Sequence, residues 1–152
     1  MKKKEKTMGL LDFIKDAGAS LFGRGRNEAE EITDLLSSTF GEKISNLKVE
    51  YSDGIVTLYG SCDTQATKEK AMLLAGNVKG VSGVNDVDFT APPAEEEIDY
   101  YVVQPGDSLS KIAKDYYGNA MKYPEIFEAN REVIKDPDLI YPGQKLRIPK
   151  IG

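Results

Sequence analysis

A chain of 152 residues has room for one average domain or two small ones, but not for two large cores. It is 40% hydrophobic and 30% charged, as water-soluble globular chains are, and no apolar run approaches the roughly 18 residues needed to cross a bilayer. The formal net charge of -5 withholds the basic field on which nonspecific nucleic-acid binding depends, and the lack of histidine together with a single cysteine, Cys62, argues against a Ser/His/Asp triad, zinc chemistry and an internal disulfide.

The chain opens MKKKEKTMGLLDFIKDAGASLFG, which starts like the basic head of an export signal. Asp12, Lys15 and Asp16 interrupt the apolar stretch that export requires, so the segment is expected to be retained and the protein cytoplasmic. Leu10, Ile14, Ala17 and Leu21 recur at helical spacing and Gly23 and Gly25 follow, predicting a short amphipathic helix. From Asn27 as N-cap, EAEEITDLLSSTFG keeps its acids in the first turn, places Ile32, Leu35 and Leu36 on one face and closes at Gly41, predicting a second helix. LKVEYSDGIVTLYG alternates apolar and polar residues on both sides of Asp53-Gly54, as a two-stranded hairpin does. After an Asp63 or Thr64 cap, Ala71, Leu74, Ala75 and Val78 share a helical face that Gly80 ends. VNDVDF then predicts a strand with Val87 and Phe89 inward.

Paired prolines and an acid run make TAPPAEEEID, residues 90–99, a stiff, solvated spacer. Beyond it YVV predicts a strand, and Asp107 or Ser108 caps a helix with Leu109, Ile112, Ala113 and Tyr116 on its apolar face. The chain turns at Tyr117 and Gly118, Pro124 suits the first turn of a further helix, and KLRIP predicts a closing strand with Leu146 and Ile148 inward. The class is α+β. An αββαβ sandwich with an extra N-terminal helix spans residues 8–89, and a βααβ unit spans 100–150.

Residues 100–149 resemble the LysM domain. They carry Tyr101, Val103, the run Gly106, Asp107, Ser108 and Leu109, then Ile112 and Ala113, Asn130, and Pro142, Gly143, Gln144, Leu146, Ile148 and Pro149. GIVTLYG and AGNVKGVSGVNDV make the first half similar to a BON domain, and the pair, preceded by MGLLDFIKDAG, resembles the small bacterial potassium-binding proteins built from BON and LysM in that order. The likeness runs from Met8 to about Pro149, with Met8 as an alternative start or residues 1–7 as a loose basic tail.

That resemblance implies a cytoplasmic K⁺ sensor or buffer rather than an enzyme, in which K⁺ taken by the BON domain favours docking of the LysM domain within one chain, expected to be a monomer. A large monovalent cation is held well by neutral oxygens that replace its hydration shell. Helix C-terminal carbonyls lack internal partners and carry the negative end of the dipole, so an interruption near Gly18 and the stretch with Gly76 and Gly80 are suited to a cation. The resemblance implies that the ligands are the main-chain oxygens of Ile14, Lys15, Ala17, Gly76, Val78 and Val81. Two further readings stay open. In the wider LysM family the loops here containing Gly106, Asp107, Ser108 and Leu109 on one side and Pro137, Leu139 and Ile140 on the other form a groove for N-acetylglucosamine polymers, which makes a peptidoglycan fragment an alternative ligand. The basic leader with a lipid-contacting BON domain is the other, weakened by Asp12 and Asp16.

Overall fold

The computed structural model describes residues 10–14, 27–94 and 97–150. Leu10–Asp12, where apolar spacing predicts the first turn of a helix, is a short strand, β1. Leu11 and Phe13 are buried while Asp12 and Ile14 are exposed, so this stretch follows a period of two and not 3.6. Both periods fit so short an apolar run. The open edge of a neighbouring strand decides between them by supplying backbone partners, with Leu11 set opposite Val84. Ala17 and Leu21, the remaining positions of the predicted helix, lie outside the described residues.

Helix α1, Glu28–Phe40, forms as its sequence predicts. The Asn27 side chain accepts from the N–H groups of Ala29 and Glu30, three glutamates occupy the first turn, and Ile32, Leu36 and Phe40 are buried at successive i,i+4 positions. Strands β2, Ile44–Ser52, and β3, Ile55–Cys62, follow as a hairpin. Both turn residues have positive φ, 49° at Asp53 and 84° at Gly54, the handedness that matches strand twist in a two-residue loop.

Helix α2, Gln65–Gly76, is capped by the Thr64 hydroxyl and ends four residues before Gly80, so Val78 lies beyond it. Strand β4, Gly83–Thr90, runs parallel to β3, and the sheet order is β1-β4-β3-β2. In β4 the register slips, with Thr57 opposite Asn85 but Tyr59 opposite Asp88. The extra residue forms a bulge in which the Asn85 side chain accepts the Val87 N–H at 3.1 Å. Alternation is reset there, so Val84, Asp86 and Phe89 are buried while Val87, predicted inward, is 68% exposed.

The second sheet pairs β5, Ile98–Val102, with β6, Lys145–Pro149, antiparallel. Ile98 and Asp99, inside the predicted spacer, are buried strand residues. Between these strands lie α3, Leu109–Tyr117, capped by Ser108, and α4, Tyr123–Ala129, with Pro124 in its first turn. Asp107 instead accepts the Gln104 N–H and the Tyr101 hydroxyl, closing the loop before α3. All five residues of β6 are buried, including Lys145 and Arg147. A two-stranded sheet cannot cover both its faces by itself. Here one face lies on Leu109, Ile112 and Ile126, while α2 packs against β6.

Candidate functional site

Of the predicted ion ligands, Ile14 lies at the exit of β1, Gly76 ends α2, and Val78 and Val81 belong to the turn after it. Phe13 fastens the two stretches together. Its N–H donates to the Ser82 carbonyl at 2.8 Å, and its ring lies against Gly76, where an added Cβ would come within 2.1 Å of ring carbons. Ile14 follows Phe13 directly and exposes 49% of its surface. Lys15 and Ala17 lie outside the described residues, and the N-terminal ligand stretch leaves a strand at Asp12 where a helix was predicted.

The turn itself is tightly wound. Asn77 N–H donates to Leu73 at 2.9 Å, Val81 N–H donates to Val78 at 3.1 Å, the Tyr51 hydroxyl donates to Gly80 at 3.1 Å, and Ser82 N–H donates to Gly54 at 2.8 Å. Among the described residues no backbone N–H outside α2 donates to the carbonyl of Gly76 or of Val81. The Val78 carbonyl takes the Val81 N–H. Gly76, Val78 and Val81 are buried, so what this turn offers is uncharged oxygens at the negative end of a helix dipole. No group of three or more Cys, Asp or Glu side chains that could hold a metal occurs among the described residues. Neutral main-chain oxygens suit a weakly hydrated monovalent cation better than a divalent one, which calls for carboxylates.

On its other side the turn meets β6. The Asn77 side chain donates to the Lys145 carbonyl at 2.9 Å and accepts the Lys145 N–H at 2.9 Å, a pairing like that of one more strand residue. The Tyr141 hydroxyl reaches the Asn77 carbonyl at 3.3 Å, and burial pushes this phenol up to about 12. The Lys145 ammonium lies 5.3 Å from the centre of the Phe13 ring. Further along α2, Glu69 accepts from Arg147 at 2.8 and 2.9 Å, both side chains nearly inaccessible, and Lys70 pairs with Glu132 at 3.0 Å. A cleft of about 340 Å³ runs beside Asn77 and Val78, walled by Leu74, Ile134, Leu139 and Gln144. A larger one, about 570 Å³, lies where Thr64 and Ala66 at the start of α2 face Pro93 and Ile98, and it includes none of the predicted ligands.

The predicted glycan residues are partly gathered. Asp107, Ser108, Leu109, Pro137 and Ile140 line one groove of about 300 Å³ with Tyr123. Leu139 belongs instead to the cleft beside Asn77, and the Gly106 carbonyl accepts the Lys111 ammonium. Asn77, Glu69, Arg147 and Glu132 escaped sequence reasoning. A polar residue on a helix or at alternate strand positions reads as solvent-facing until the covering element is known.

A BON domain model matches residues 26–91, and a LysM domain model matches residues 101–149. The chain is 40% identical over 149 residues to the potassium binding protein Kbp of Escherichia coli O6:H1, covering 94% of this chain and 99% of that one. An uncharacterized protein of Deinococcus radiodurans is 42% identical over 144 residues, and an endolysin of Bacillus phage B103 is 25% identical over 126. The chain spans 56% of the first of these two and 44% of the second. With BON before LysM and near-complete coverage of Kbp, the chain belongs to the Kbp family.

Proposed function

We propose that this chain is a cytoplasmic K⁺-binding protein, a sensor or buffer and not an enzyme, which takes the ion on main-chain oxygens of Ile14, Lys15, Ala17, Gly76, Val78 and Val81. Occupancy draws the LysM unit onto the BON unit, so binding and closure are linked in both directions. One observation carries the reading. Phe13 is held against both Gly76 and Ser82, which sets the exit of β1 beside the turn that carries the Gly76, Val78 and Val81 carbonyls. The name of the Escherichia coli relative supports the choice of ion. No side-chain charge is needed, which is why the donor set leaves no mark in the sequence beyond two glycines.

Thermal unfolding at constant ionic strength tests it. K⁺ is expected to raise the midpoint while Na⁺ does much less, and amide shifts on KCl addition are expected at residues 14–17 and 76–81. Equal effects of the two cations would remove the ion reading.

A second reading has one observation in its favour, the groove formed by Asp107, Ser108, Leu109, Pro137 and Ile140. A fragment of N-acetylglucosamine polymer would lie there. Shifts at those residues on adding chitin oligomers, lost in Ile140→Ala, would establish it, and unchanged spectra would dismiss it.

A further inference from the structure

Asn77 sits between two of the proposed ligands and is not one of them. Its backbone joins the peptide that carries the Gly76 carbonyl to the residue that carries the Val78 carbonyl. Its side chain both donates to and accepts from the main chain of Lys145, at 2.9 Å each, and its own carbonyl receives the Tyr141 hydroxyl at 3.3 Å. Three hydrogen bonds to the C-terminal unit thus converge on one residue of the ion turn. Two of them read the backbone of β6 at Lys145, so they depend on where that strand lies and not on which side chains it carries, and the third comes from the Tyr141 side chain just before it. The adjacent Gly76 is pressed on Phe13, whose ring lies beneath the Lys145 ammonium. A peptide plane in this turn can hardly rotate without moving the Asn77 amide away from β6.

We infer that Asn77 is the positioning residue through which ion occupancy and seating of the LysM unit control each other. It orients the Gly76 and Val78 oxygens when β6 is seated, and it lets β6 seat when those oxygens are turned to a cation. This rests on the K⁺ reading of the turn, and it adds a residue and a direction of control to it. Because linkage is reciprocal, removing the amide weakens both events together.

The test is a KCl titration of the full-length protein, balanced with choline chloride, following amide shifts in the ion turn and hydrogen exchange at the Lys145 N–H. In wild type, K⁺ is expected to raise protection at Lys145 in step with the turn. Asn77→Ala is expected to bind K⁺ about tenfold more weakly, within the usual range of intramolecular coupling, and its Lys145 exchange is expected to ignore K⁺. Asn77→Asp keeps the acceptor for the Lys145 N–H but offers no donor to the Lys145 carbonyl, so it is expected to be uncoupled too, and it carries the test should the alanine variant not fold. A purely structural role for Asn77 would lower stability and leave the K⁺ dependence at Lys145 intact. That result, or wild-type K⁺ affinity in both variants, overturns the coupling alone. A wild-type protein indifferent to K⁺ overturns the ion reading and the coupling together.

Discussion

Helices α2 and α3 begin alike, with a threonine or serine hydroxyl accepting a first-turn N–H, and then diverge. Helix α3 buries Leu109, Ile112 and Ala113 and leaves Lys111, Lys114 and Asp115 in water, the arrangement of a helix lying on one core. Helix α2 has no exposed residue. Its charged side chains each find an oppositely charged partner in a different element: Lys68 on Asp86 of β4, Glu69 on Arg147 of β6, and Lys70 on Glu132 after α4. On a covered helix a charge records what covers it, because an unpaired buried charge costs far more than a solvated one. The three pairs on α2 therefore map its surroundings, and two of them point across to the C-terminal unit.

The largest expected effect breaks that map. Glu69→Ala would leave the Arg147 guanidinium, which also donates to the Ala129 carbonyl, buried without its carboxylate, and a loss of about 3–5 kcal/mol is expected in urea unfolding. Lys111→Ala on the exposed face of α3 is expected to stay within about 0.5 kcal/mol. Replacing both members of the pair, Glu69→Met with Arg147→Met, should recover most of the loss, since an apolar pair needs no partner. A Glu69→Ala loss below 1 kcal/mol would mean that Arg147 regains water and that β6 is not held on α2 by this pair.

A middle-sized effect sharpens the contrast at the helix ends. Both α2 and α3 finish near a glycine, for different reasons. Gly118 has φ of 73° and open space where a Cβ would stand, so Gly118→Ala pays only for a left-handed conformation, about 1 kcal/mol. Gly76 has no such φ, yet its Cβ would overlap the Phe13 ring, so Gly76→Ala must displace a buried aromatic, at about 1–3 kcal/mol. The two are told apart by a second change: in a Phe13→Leu background the cost of Gly76→Ala is expected to fall by at least half, and that of Gly118→Ala is expected to stay the same. Equal costs in both backgrounds would show that the ring is not what Gly76 accommodates.

What the sequence made legible follows the same division. Local rules read α1 and α3 to within a residue, because an Asn27 or Ser108 cap, a one-sided apolar face and a closing glycine are all written within one stretch of chain. They misread elements whose surroundings come from elsewhere. The stretch from Leu10 is a strand because β4 has a free edge, and Val87 turns outward because a bulge resets the alternation; β6 is the strand predicted, with Leu146 and Ile148 buried, but the burial of Lys145 and Arg147 beside them is not written in its own stretch. The candidate site is proposed from family likeness and two glycines, since main-chain oxygens have no residue type. Asn77 was invisible for a related reason: its partner is the backbone of a residue 68 positions away.

The smallest expected effect concerns Tyr141, whose phenol belongs to the α2 side of the comparison because it reaches Asn77. At pH 8 Tyr141→Phe removes one long hydrogen bond, and a loss toward the low end of about 0.5–1.5 kcal/mol is expected. The pH dependence carries more information. Burial raises this phenol to about 12, above its unfolded value near 10, so the neutral phenol's stabilisation is complete below pH 10 and disappears as pH rises through 12. Phenylalanine has no proton to lose. The wild-type advantage at pH 8 should therefore shrink, or reverse, in urea midpoints taken at pH 11. Tyr116, also raised by burial within the C-terminal core, is common to both proteins and its contribution cancels in the difference. If the gap between wild type and Tyr141→Phe were constant from pH 8 to 11, the phenol would be titrating in water, and the contact between Tyr141 and the ion turn would open at alkaline pH while α3 and its core remained folded.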